Sequence, residues 1–245
     1  MSQQASHGSA GGQAAVPAGL VAAVVDLVGT GPVLLGAYTI AELTSVDAIV
    51  DFLEARPSEE AIAEAVRSLA ARQLLVAGSA DGQVQVRGDL GIAVAFQQRA
   101  RLVLDARATG TVPGEPWRIL LLPQPEPICL IVRIDALGVH ELGLYRTDDA
   151  LDRLTDWLPR GELADRAELG PDDLLSAAER SALVTVTRYT THGSSEVAGD
   201  STDLVLARHR GSLHAFERSG DETHALVRRR LHGDNVRDTI AAMLA

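Results

Sequence analysis

Ile128-Cys129-Leu130-Ile131-Val132-Arg133-Ile134 is followed, after Asp135-Ala136-Leu137-Gly138-Val139, by His140-Glu141-Leu142-Gly143-Leu144-Tyr145. A β-branched apolar run and a second run with alternating leucines, joined across a glycine-containing connection, predict an antiparallel strand pair. Thr147 then reads as a helix cap, with Asp148 and Asp149 in the first turn. Leu151, Leu154, Trp157 and Leu158 form the apolar stripe of that helix, and Pro159 closes it.

Upstream, Arg101 to Arg107 and Trp117 to Leu122 read as strands of the same sheet. Downstream, Arg160 to Gly170 is charged and aperiodic, as in a linker, and Pro171-Asp172-Asp173 opens a short helix to about Ser181. Strands follow at Leu183 to Tyr189, Leu204 to His209, Leu213 to Phe216 and His224 to Leu231, and then a terminal helix from Asn235 to Leu244. Several strands and then a helix thus occur twice, with Arg210-Gly211 in the place of Leu137-Gly138. The order predicts an α+β fold with a mainly antiparallel sheet, flanking helices and pseudo-two-fold duplicated halves, about 14–159 and 171–245 of a single domain 14–245.

From Thr39 to Arg101 the pattern is mainly helical. Val46, Ile49, Val50 and Leu53 share a helix face that Pro57 ends. Ser58 caps a second helix, with Glu59 and Glu60 in its first turn and Ile62, Ala65, Val66 and Leu69 on its apolar face. Leu74 to Val76, the Asp81-Gly82 turn and Gln83 to Val86 read as a hairpin, and Asp89 to Ala100 as a further helix. Helix, helix and hairpin are the parts of a winged-helix unit. At the start, Met1 to Gln13 is a polar, small-residue tail without a basic cluster, so it reads as disordered and not as a signal peptide. Ala14 to Gly36 is apolar, but Pro17, Asp26, Gly29, Gly31 and Pro32 interrupt it, which predicts a buried helix over Ala18 to Val28 and a Gly-Pro turn, not a membrane span. The expected location is the cytoplasm.

The 245 residues carry a net charge of −11, and all 22 cations are arginine. Without lysine there is no Schiff base, P-loop lysine or Ser-Lys dyad. The lysine-free, Ala-, Val-, Leu- and Arg-rich usage is that of a high-GC genome, as in actinobacteria. An acidic chain repels polyanions, so nucleic acid and anionic membranes are disfavoured partners. The single cysteine, Cys129, excludes a disulfide framework and a multi-thiolate metal site, and its apolar setting suits a buried thiol.

Several motifs invite chemistry. Gly29-Thr30-Gly31 lacks the third glycine of a dinucleotide loop at the required spacing, and Pro32 stands where the helix would begin. The second helix of the winged-helix unit presents Glu59, Glu60 and Glu64 ahead of Arg67 and Arg72, which favours a structural or protein-binding use over duplex binding. His209, His214, His224 and His232 gather in the C-terminal strands without a metal-ligand spacing. Ser194 and Ser195 lie near His192 in the loop Thr190 to Thr202, but no nucleophile elbow surrounds them. Helix capping accounts for Asp148/Asp149 and Asp172/Asp173. Strand alternation splits Arg228-Arg229-Arg230 between two faces. Pro123 to Pro127 reads as a stiff connection, and Arg87-Gly88-Asp89 as a chance tripeptide. No catalytic, cofactor-binding or metal-binding residue is assigned, and no cofactor is expected.

Leu69 to Leu75 (LAARQLL) running into Asp81-Gly82-Gln83-Val84, Asp89-Leu90 opening a helix, and Arg101 to Leu104 as a first strand precede the paired strands and their helix. With the second copy ending at Leu244, this layout resembles the EspG family of type VII (ESX) secretion systems over most of the chain from about Pro17. The resemblance implies a cytosolic chaperone that binds a PE–PPE substrate heterodimer by surface complementarity, with neither cofactor nor turnover and no membrane insertion. It places contacts on the loops Ala108 to Pro116 and Thr191 to Thr202 and on the C-terminal helices. A winged-helix regulator with a sensory α+β domain is the alternative. The sequence leaves the oligomeric state open.

Overall fold

The computed structural model describes residues 16–48, 57–78, 84–164, 169–192, 195–218 and 225–245. A helix, α1 (Ala18–Thr30), turns at Gly31-Pro32 into strand β1 (Val33–Thr39). α2 (Ile40–Ser45), α3 (Glu59–Ala71), the pair β2 (Leu75–Ala77) and β3 (Val84–Val86), and α4 (Gly88–Arg99) complete the N-terminal part. Of the expected helix, helix and hairpin, α3 and the antiparallel pair β2–β3 are present; α2, the helix before them, precedes the residues that were expected to form the first. Ser58 caps α3 by accepting from the Ala61 amide, and Thr39 and Glu42 form a reciprocal capping box on α2. Glu42 also ties the two helices together: its carboxylate accepts from Ser68 and Arg72 of α3, both at 2.9 Å.

Next come β4 (Leu102–Thr109), β5 (Arg118–Pro123), β6 (Ile128–Ile134), β7 (Val139–Arg146) and α5 (Thr147–Trp157). After β8 (Glu162–Leu163), the order repeats as α6 (Pro171–Ala177), β9 (Arg180–His192), β10 (Ser195–His209), β11 (Ser212–Arg218), β12 (Leu226–Arg228) and α7 (Val236–Leu244). One ten-stranded sheet runs β1-β7-β6-β5-β4-β9-β10-β11-β12, with β8 parallel to β11 and all other pairs antiparallel.

The strand order is palindromic about the β4–β9 seam, and so is the register. Ala106 pairs with Val184; beyond them, Ala106 faces Ile119 just as Val184 faces Leu204. One strand further out, Leu121 faces Ile131 as Leu206 faces Ala215. These side chains share one core with Leu151 and Leu154 of α5 and Ile240 and Met243 of α7, so both closing helices lie on one face of the sheet. The opposite face carries α1 to α4 over Leu120, Leu122, Leu130, Leu142 and Leu144, and α6 over Val205, Ala207 and Phe216. Alternation along the strands sends each neighbour to the other face, and burying one leucine contributes about 2 kcal/mol.

The observed repeat is thus a helix, four strands and a helix, from Gly88 to Trp157 and from Pro171 to Leu244. The expected first half began too early, since α1 to α3 and β1 have no counterpart. Arg210-Gly211 joins β10 to β11 and so corresponds to the β5–β6 connection, not to Leu137-Gly138. A repeated glycine turn had suggested the wrong hairpin.

Other expectations change in detail. Val33–Thr39 is a strand where no element was expected between the Gly-Pro turn and the helical region from Thr39, because a short apolar run carries no period that separates strand from helix. α2 stops at Ser45 with Val46 as its C-cap; Ile49, Val50 and Leu53 lie outside the described residues, as do Asp81-Gly82 and the tail to Gln13. Thr147 is the first residue of α5 and not its cap, which is Arg146 without a side-chain bond. α6 ends at Ala177, not near Ser181, because β9 already begins at Arg180. The last strand shortens to Leu226–Arg228, with His224 outside the described residues. Gly110, at φ +70°, closes β4 so near Glu179 that a Cβ would stand 2.4 Å from its carbonyl oxygen.

Candidate functional site

Beside α5, the sheet face carries a groove of about 360 Å³ lined by Glu115, Ile131, Arg133, Tyr145, Arg153 and Trp157, among others. A second depression of about 380 Å³ shares Ile131, Arg133 and Tyr145 and continues across β7 to Leu34, Gly36 and Ala37 of β1. The path is open because β1 extends the sheet past the strip that α5 covers. Gly143 keeps it clear: a Cβ there would meet the Tyr145 ring at 2.9 Å. The Arg153 guanidinium lies over that ring, 4.9 Å from its centre.

The loop after β4 forms the far wall. Trp157 Nε1 donates to the Pro116 carbonyl at 3.0 Å, while Arg180 bonds both Glu115 at 2.8 Å and the Trp157 carbonyl at 2.6 Å. This arginine serves the free carbonyl end of α5, and its contact holds the Glu115 carboxyl below the usual range. Arg133 pairs with Glu141 at 3.1 Å on the open side. The floor is apolar and the rim carries both signs of charge.

The two expected contact segments do not meet. Thr109 pairs with Ser181, but Leu102 pairs with Arg188, so β4 and β9 place the loop Ala108 to Pro116 and the segment Thr191 to Thr202 at opposite ends of the sheet. The first borders the groove, and its initial two residues belong to β4. The second is strand and not loop, lying in β9 and β10 around residues 193–194. α7 reaches that end, where Arg188 donates to the Met243 carbonyl at 3.5 Å, and it packs beside α5 through Arg237 and Asp152 at 2.5 Å.

Other motifs resolve into structural roles. Gly29 to Gly31 ends α1, so no helix N-terminus follows to meet a phosphate. On α3, Arg67 pairs with Glu64, and Arg72 with Glu42 while covering the Tyr38 ring. His209 and His214 sit on adjacent strands; the buried His214 has an unpartnered Nδ1, and burial pushes its pKa down. Among the described residues, no three His, Cys, Asp or Glu side chains are placed to hold a metal. Ser194 lies outside the described residues, and strand pairing sets the backbone of Ser195 opposite His192.

Burial raises the Cys129 thiol to about 12. Asp148/Asp149 and Asp172/Asp173 occupy first turns without capping them, and Asp148 instead reaches Arg237 of α7 at 3.4 Å. Arg229 is held by Glu217 at 3.5 Å and by the Asp203 carbonyl, whereas Arg230 stands exposed. Pro123 to Pro127 is a connection pinned to α4 through Gln124 to the Phe96 carbonyl and Glu126 to Arg99. No helix among the described residues is long and apolar enough to cross a membrane.

Sequence reading missed Leu34, Ala37, Tyr145 and Arg153. The uncharged run after Gly31-Pro32 could have marked β1 as a strand, but nothing local places it beside β7. Fold and groove together define an α+β protein built on a doubled four-stranded meander, with its grooves open on the sheet. No family model matches the chain, and no curated protein matches it in sequence.

Proposed function

We propose that the protein is a cytosolic secretion chaperone, similar to the EspG family, that binds a PE–PPE-type heterodimer of a type VII (ESX) secretion system. The observation that carries this reading is the groove beside α5. Its floor of Ile131 and Tyr145 and its rim of Arg133, Arg153, Glu115 and Glu141 have the apolar centre and polar margin of a protein–protein interface. The Ala108 to Pro116 loop borders it, and on this reading contacts the client. Such binding needs no cofactor and no turnover.

The test is co-purification from the native host with mass spectrometry. A helical PE–PPE-like pair recovered at near-stoichiometric amounts, and lost on Arg153→Glu, supports the reading. Repeated absence of such a pair at native expression overturns it. The alternative, a winged-helix regulator, is favoured by the arrangement of α2, α3 and the β2–β3 hairpin. It predicts specific duplex binding that weakens steeply with salt. The pairing of Arg67 and Arg72 within the molecule weighs against it.

A further inference from the structure

One end of this molecule is nearly without charge. Across the chain 22% of residues are charged, yet residues 18–41 include a single one, Asp26. They form α1 and β1. Apart from Asp26 and Thr30, α1 is built of apolar residues and glycine: Val21, Val24 and Val28 are buried, while Leu20 and Leu27 stand exposed. Exposed leucines on a helix with so few polar residues are surface that a partner can bury. β1 is the last strand of the sheet, with neither charge nor proline, and among the described residues no strand pairs with its outer edge. A bulge between Leu34 and Gly36 brings Leu34 and Ala37 onto one face, where Leu34 is 74% exposed. α1 packs over the opposite face of the sheet through Val24 and Val28, and its own outward side carries the exposed Leu20 and Leu27.

We propose that this end is where a second copy of the chain docks, giving a two-fold dimer joined through β1 and α1. Charge selects the occupant. At net −11, two copies repel on average, and a face from which charge is absent is where they meet with least repulsion. A partner of opposite charge would gain nothing from such a face. The sheet's other edge decides the geometry. β12 has three residues and runs into Arg228-Arg229-Arg230, the kind of short, charged edge that resists strand addition. β1 of one copy therefore cannot extend onto β12 of another, and β1 against β1 closes as a dimer and not as a fibre.

The test is sedimentation equilibrium of the full chain at about 100 µM, which populates even a micromolar dimer. The expected mass is twice 25.9 kDa. The double variant Leu27→Lys, Leu34→Lys is expected to sediment as a monomer with an unchanged circular dichroism spectrum, since both side chains are exposed. Leu137→Lys, at the exposed β6–β7 turn, is expected to keep the dimer. A monomeric wild type overturns the proposal, as does a dimer that survives the double variant or dissociates only on Leu137→Lys. If the wild type is monomeric and Leu34→Lys abolishes capture of a PE–PPE pair, the face belongs to that client instead.

Discussion

Ala106 of β4 and Val184 of β9 face each other at the centre of the sheet, and the strands on either side of them repeat in register. The consequence is one core shared by two halves: Leu154 of α5 and Ile240 of α7 both lie in it on the same face of the sheet, and both are fully buried. Leu154→Ala and Ile240→Ala should each cost about 2–5 kcal/mol, and by similar amounts. Urea unfolding measures both; a large loss at one site beside a negligible loss at the other would show that the halves do not share the core evenly.

Glu42 is a buried carboxylate with a structural task, accepting from the Thr39 amide, Ser68 and Arg72. Glu42→Ala removes the capping box and leaves these donors without their acceptor, at an expected cost of about 2 kcal/mol. Chemical denaturation giving a change below about 0.5 kcal/mol would refute this role.

Burial lowers the pKa of His140. The unfolded chain therefore takes up the proton first, so stability is fully present above about pH 6.5 and declines as pH falls toward the folded value. His214 shifts in the same direction. The denaturation midpoint should drop between about pH 7.5 and 5.5, and His140→Gln should flatten part of that slope. An equal slope in the variant would rule His140 out.

Cys129, 1% exposed and with its thiol raised to about 12, should resist thiol reagents in the native state at pH 8. Labelling should proceed at the rate of unfolding and become immediate in denaturant. Rapid native labelling would contradict the buried placement.

Much of the fold was legible in the chain. Alternating and helical periodicities marked β4 to β7, α3 to α5 and α7, and Ser58 does cap α3, while Asn235, read as the start of the last helix, is its cap. The repeat could be read from element order alone, although its turns could not be matched, because a glycine turn looks the same between any two strands. What periodicity could not supply was β1, whose short apolar run suits a strand or a buried helix equally.

By itself, the sequence determined the excluded chemistries, the net acidic charge, most of the strands and helices, and the doubled order in which they occur. Those properties are local or additive: a missing lysine, a net charge and an apolar period belong to the residues wherever they fold. Tertiary structure decided which of them meet. Antiparallel pairing of β4 with β9 separated the two expected contact segments to opposite ends of the sheet. Pairing of β1 with β7, residues more than a hundred positions apart, opened the groove beside Tyr145 and left a charge-free edge. Contacts between distant segments leave no periodic trace in either one, and the groove and the edge consist entirely of such contacts.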